Sequence, residues 1–254
     1  MKKLGLGILI GILVLTLSGV IVIAKAITPQ EKGKANAPDL EKIEFIHYKK
    51  NFAKPVGKPS NQPSCYKFFP AKVKWQVPPP VEYVINPTNS SGLRENFICE
   101  ATSVSTETWD KPTSKELFKD YTNANCPLDN KANYGVLDKK NAVTFGNYPD
   151  SNVIAVTTVW YNPALKTIVE FDVMFDTDWT WGDADPNDDG VVNYPNLMDL
   201  QNIATHELGH GIGLNDVYET NCSAVTMYGY STEGETDKRT LETPDIKGLQ
   251  TLYP

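Results

Sequence analysis

Two histidines four residues apart enclose a glutamate in the run His206-Glu207-Leu208-Gly209-His210. On a helix, positions i and i+4 share a face one turn apart, so both imidazoles can reach one ion while Glu207 stands beside it. Zinc takes nitrogen and oxygen donors in tetrahedral sets, and a zinc that does chemistry keeps three protein ligands and one open position. Gly211 and Gly213 follow at once, and glycine adopts the left-handed conformation that ends a helix. A chain reversed there can return the carboxylate of Asp216 to the same ion. The whole chain has only 3 histidines, so spending two of them at this spacing is a specific signal. The reaction such a set supports is hydrolysis by a metal-activated water, with Glu207 as general base.

These groups need a helix under them and a sheet behind it. Leu197, Leu200, Ile203, Ala204 and Leu208 recur at helical spacing, so the ligand helix begins just after Asn196. Immediately upstream, Asp185, Asn187, Asp189 and Asn193 stand at positions 1, 3, 5 and 9 of a calcium loop, with Gly190 at its sharp turn and the Val191 carbonyl at position 7. Position 12 is Asn196 where a bidentate Glu is usual, which weakens affinity. A bound Ca2+ would fix the start of the ligand helix. Strand patterns run over Val81–Ile85, Ala142–Phe145, Val153–Trp160 and Thr167–Phe175, the last alternating a buried face with a wetter one. Leu93, Phe97, Ala101, Val104 and Thr108 predict an earlier amphipathic helix, introduced by Ser90 and Ser91 and stopped before Pro112.

The rest of the chain bounds the setting. Of 254 residues, 24 are basic and 31 acidic, and a net charge of −7 argues against nucleic acid as a partner. Residues 1–26 open on two lysines, Lys2 and Lys3, followed by an apolar run from Leu4 to Ala24 that is long enough to cross a bilayer. The pattern Ala24-Lys25-Ala26 also fits a signal peptide cut before Ile27. Signal peptide or retained anchor, this segment takes the remainder out of the cytoplasm and is the chain's one link to a membrane. Export makes disulfides the natural use of the four cysteines. Cys65, Cys99, Cys126 and Cys222 allow three pairings; Cys99 and Cys126 flank one compact stretch, which favours joining them and leaving Cys65 for Cys222 over the other two. Residues 27–72 are rich in lysine and proline with little periodicity, the composition of a linker or pro-segment. His47 falls there and reads as a surface histidine. Folded character takes over from residue 73 to 254.

The motif and its surroundings resemble the metzincins, most closely the matrixin type. The pattern H-E-x-x-H-x-x-G-x-x-H/D appears as His206, Glu207, His210, Gly213 and Asp216, with Asp in the last position as in the snapalysin-like branch. The resemblance implies an α+β catalytic domain: a twisted mixed sheet of about five strands, an active-site helix, and a small C-terminal subdomain ending in a helix near Pro244–Tyr253. It assigns Met227 to a methionine turn beneath the metal histidines, Thr167–Phe175 to the edge strand on which a peptide adds, and Met227–Tyr230 to a selectivity pocket. Tyr228 and Tyr230 read as packing or surface residues, with stabilisation of the oxyanion as the second reading for either. The cysteine motif that keeps secreted matrixins latent does not match Gln62-Pro63-Ser64-Cys65-Tyr66-Lys67, which leaves Cys65 its disulfide. The expected function is a zinc-dependent extracellular endopeptidase acting on protein or peptide. Two rivals stand beside it: an inactive, calcium-stabilised surface binding module on the same fold, which would have no use for Glu207, and a hydrolase of non-peptide substrates.

Overall fold

The computed structural model describes residues 40–50, 52 and 64–254. The apolar start and its two readings lie outside the described residues. Among the described residues, no helix is long and apolar enough to cross a membrane.

Six strands make one mixed sheet: β1 (Glu41–Lys49), β3 (Val84–Ile85), β4 (Ala142–Gly146), β5 (Val153–Asn162), β6 (Thr167–Asp176) and β10 (Tyr230–Ser231). Their spatial order is β10-β1-β5-β6-β4-β3. The core of the sheet is the antiparallel hairpin of β5 and β6, two ten-residue strands dense in β-branched and aromatic side chains. Every residue of β5 is buried, as expected of a strand covered on both faces and both edges. Two short pairs complete the strands, β2 (Lys67–Phe68) with β9 (Leu214–Asn215), and β7 (Trp181–Gly182) with β8 (Met198–Asp199).

Among the described residues three α-helices pack around this sheet: α1 (Glu95–Asp110), α2 (Leu200–Gly211) and α3 (Thr243–Leu252). α2 starts at Asp199, whose side chain accepts from the Asn202 N–H at 2.9 Å and so satisfies one of the free donors of the first turn. Leu200, Ile203 and Leu208 bury its apolar stripe. α1 fixes α2 from the side: Trp109 Nε1 donates to the Thr205 carbonyl at 2.7 Å, and Thr205 Oγ1 donates to Ser105 Oγ at 3.0 Å. The two disulfides are Cys99–Cys126 and Cys65–Cys222.

Three expectations change. Thr167–Phe175 is not an edge, because β6 is hydrogen-bonded to β4 on one side and β5 on the other and has no ladder left to offer. Nor is its acidic face wet. Asp172 accepts from the N–H groups of Gly135 and Ala142, and Glu170 from that of Asp138, so these carboxylates tie down the loop before β4; burial pushes Asp172 up to about 7. The third change is His47. Residues 41–49, within the stretch expected to be a linker or pro-segment, form a nine-residue strand inside the sheet, and His47, expected at the surface, is 1% exposed.

Candidate metal centre

α2 presents His206 and His210 on one face, their ring centroids 4.9 Å apart. Each ring is oriented from behind: His206 Nδ1 donates to the Thr226 carbonyl at 2.7 Å and His210 Nδ1 to the Leu214 carbonyl at 2.8 Å. A carbonyl only accepts, so both Nδ1 atoms carry hydrogen, and in the neutral ring each Nε2 offers the lone pair a metal ligand requires. Gly213 provides the reversal that brings in the third group. Its φ is +106°, and a Cβ there would stand 2.5 Å from the Val73 carbonyl oxygen, so only glycine fits.

Beyond that turn Asp216 comes back to α2. Tyr218 Oη donates to its Oδ2 at 2.8 Å, while Oδ1 lies 3.2 Å from His206 Nε2 and 3.4 Å from His210 Nε2. Donors ~2.0–2.1 Å from a tetrahedral zinc stand about 3.3 Å from one another. His206 Nε2 and Asp216 Oδ1 are both buried without a hydrogen-bond partner. Buried polar atoms are normally satisfied, and a cation between these two satisfies both. The donor set therefore fits zinc. Burial opposes charge on Asp216, but His210 and His206 outweigh it and hold the carboxyl well below the usual range; Asp216 in turn overcomes the burial of His210 and raises its pKa.

The floor of the centre is Met227, 1% exposed. A Cβ on Gly209 would meet Met227 Sδ at 2.3 Å and Trp109 at 2.7 Å, so α2 and the methionine turn touch only because residue 209 has no side chain. Asp245, in the first turn of α3, accepts from Thr226 N at 2.9 Å and Met227 N at 3.2 Å and pins the turn. Thr226 also holds His206, so α3 reaches this candidate ligand through two residues.

Glu207 is fully buried between two donors. Thr157 Oγ1 donates to Oε2 at 2.5 Å, and His47 Nδ1 donates to Oε1 at 3.1 Å. The other His47 nitrogen, Nε2, is 3.0 Å from Ser231 Oγ, which accepts from Lys238 Nζ at 2.8 Å. Lysine only donates and a carboxylate only accepts, so the proton order along the chain is fixed from both ends: Lys238 to Ser231, Ser231 to His47, His47 to Glu207. Burial and the neighbouring His206 lower the pKa of His47 to about 4, which keeps the ring neutral. For Glu207, burial is outweighed by the His47 hydrogen bond and the charge of His206, and the pKa falls below the ordinary carboxylate value. Sequence reasoning missed His47, Ser231, Lys238 and Thr157. Of these only His47 left a trace, since Ile43, Phe45 and His47 alternate with Glu44, Ile46 and Tyr48 in the two-residue period of a strand.

The calcium candidates lie together ahead of α2. Asp185 Oδ2 accepts from Gly190 N at 2.9 Å, Asp189 Oδ1 from Val191 N at 2.9 Å, and Asn187 Nδ2 donates to Asn193 Oδ1 at 3.1 Å. Asp185 Oδ1 is buried and unpartnered. Arg239 already supplies one cation beside this loop, bonding Asp183, Asp188, Asp199 and the Asp185 carbonyl. Tyr228 and Tyr230 are buried and meet edge to face at 5.6 Å.

A mixed sheet backing a helix with two histidines on one face, a reversal that returns Asp216 to them, and a buried methionine underneath is the arrangement of the metzincins. Comparison with known proteins narrows this. The family model described as matrixin, a peptidase family, matches residues 74–254, and the chain belongs to that family. Matrix metalloproteinase-16 of human, of rat and of mouse are each 35% identical over 82 residues, which is 32% of this chain and 12% of those relatives. The match thus spans about an eighth of their length.

Proposed function

We propose that the chain is a zinc-dependent endopeptidase that acts outside the cytoplasm on extended segments of protein. The observation that carries this reading is the pair of buried, unpartnered donors, His206 Nε2 and Asp216 Oδ1, 3.2 Å apart beside Glu207. His206, His210 and Asp216 would hold the ion. Bound zinc supplies Lewis-acid polarisation of the scissile carbonyl and makes a water acidic enough to attack near neutral pH. Glu207 takes the proton of that water and returns it to the leaving amine, a role suited to a carboxylate that stays ionised at its site. Thr157 holds one Glu207 oxygen and so sets the direction of the other.

A calcium ion in the loop from Asp185 to Asn193 is part of the same proposal, supported by the unpartnered Asp185 oxygen. Asp185, Asn187, Asp189, the Val191 carbonyl and Asn193 would be its ligands. Melting temperature followed during calcium titration checks it, and no rise at millimolar calcium removes it. Export through residues 1–26, as a cleaved signal or a retained anchor, belongs to the proposal on sequence grounds. N-terminal sequencing of the exported chain decides between the two.

The activity is tested by cleavage of casein, measured on the intact chain and on chain cut by a site-specific protease engineered into residues 53–63. The expected result is cleavage that a chelator abolishes and added zinc restores. Folded, zinc-loaded protein that cleaves no peptide in either form overturns the reading.

A further inference from the structure

The matched catalytic domain begins at residue 74, so β1 lies outside it. Without β1, the order β10-β1-β5-β6-β4-β3 leaves β5 as an edge strand. An edge strand beside a catalytic centre is where an extended peptide adds by main-chain hydrogen bonds. β1 has made that addition. It runs antiparallel to β5 from Glu41 opposite Tyr161 to Tyr48 opposite Val153, and parallel to β10 at Tyr48 and Lys49.

Its side chains reach the chemistry. Residues of one face point to α2: Phe45 stacks on His210 with centroids 4.1 Å apart and planes 8° from parallel, and the His47 ring lies 4.0 Å from that of His206. His47 also takes the one Glu207 oxygen that Thr157 leaves free. Each Glu207 oxygen then already holds a donor, and the His47 ring stands at Oε1, the oxygen that would otherwise face an attacking water. With β1 in place His206, Glu207 and His210 are at most 1% exposed, whereas a catalytic metal needs an open position. The contact goes to the base, not to the metal through a cysteine, since Cys65 is bonded to Cys222.

We infer that residues 41–49 are an internal inhibitor: a segment of this chain that fills the peptide groove between β5 and β10 and holds Glu207 out of reaction until the chain between Lys49 and Cys65 is cut. The inference rests on the peptidase reading of the same site. No covalent tie would survive the cut, because all four cysteines lie at or beyond residue 65. Residues 1–52 would then be held by non-covalent contacts alone, and an antiparallel peptide of similar length could replace them.

The test uses the full chain with a recognition sequence for a site-specific protease placed within residues 53–63. Hydrolysis of a quenched fluorescent peptide is followed before the cut and after the cut and gel filtration, with hydrogen exchange reporting the backbone of β5 and β6. If the open form is about 1% of the intact chain, cutting raises the rate about 100-fold. β5 then gains exchange while β6 keeps its protection, and a synthetic peptide of residues 40–50 restores latency competitively with substrate. Equal rates before and after a cut that releases residues 1–52 overturn the inference and leave the peptidase reading standing. Loss of β6 protection on release makes β1 a structural strand and also overturns it. A zinc-loaded, folded chain with β5 exposed and no hydrolysis overturns the peptidase reading itself.

Discussion

His47 Nδ1 lies 3.1 Å from Glu207 Oε1, joining a strand that precedes the catalytic domain to the one carboxylate the proposed reaction cannot do without. His47→Ala in the intact chain removes this bond and the one to Ser231. At about 1 kcal/mol net for each buried hydrogen bond, the hold of β1 weakens by about 2 kcal/mol, roughly 30-fold in the open population. The expected outcome is a peptidase rate above that of the intact wild type and below that of the cut chain. An unchanged rate would mean that His47 does not restrain Glu207.

Asp216 is the least common of the three proposed ligands, and its role is separable from activity. Asp216→Ala removes one donor and leaves His206 Nε2 buried with nothing opposite, so zinc affinity falls by at least about 100-fold. Competition with a chromogenic chelator reads this directly. Unaltered affinity would require a different third ligand.

Packing under the centre gives a third expectation. Gly209→Ala places a Cβ 2.3 Å from Met227 Sδ and 2.7 Å from Trp109, both in a filled core. The gain of about 1 kcal/mol from replacing a helical glycine is offset by an overpacking cost of about 1–3 kcal/mol. Urea unfolding should show net destabilisation. A stabilised variant would show that Met227 and Trp109 move aside freely.

How much of this was legible beforehand follows from where each signal sits. The proposed zinc ligands, Glu207 and the reversal at Gly213 lie within one short run, and local spacing dictates their geometry. The strand and helix patterns from residue 81 onward are equally local. β1 was not, because Lys49, Lys50 and the prolines after it dominate the composition around a six-residue alternation, and its partners lie more than 100 residues away. The same distance hid the chain from Lys238 to Glu207. The resemblance assigns the edge to Thr167–Phe175, and the alternation there offers no check, since it reports which faces are buried and not which side neighbours occupy. β6 is the interior strand, and β5 is the one whose outer side is covered from outside the catalytic domain.

Electrostatics near β10 predict a pH effect. Lys238 is 2% exposed and its Nζ lies 3.4 Å from Glu235 Oε2, with Lys50 bonding the other Glu235 oxygen. Burial opposes the Glu235 charge, but Lys238 and Lys50 prevail and its pKa is lowered. A carboxylate depressed on folding stabilises above its unfolded pKa of ~4.3, and that contribution is lost as pH falls through the folded value. Glu235→Gln leaves Lys238 an unpaired buried charge and should cost about 3 kcal/mol at neutral pH. The loss should shrink below pH ~4, where wild type forfeits the same pair. Chemical denaturation at several pH values checks both; a pH-independent difference would contradict the pairing.

The central claim is that Glu207 is the general base beside a zinc held by His206, His210 and Asp216. Its most direct test is Glu207→Gln in the chain cut within residues 53–63, with zinc content and peptide hydrolysis measured on the same samples. The account predicts one zinc per chain in both proteins and a rate lower by about 10²–10⁴-fold in the variant. Equal rates at equal zinc content would contradict it.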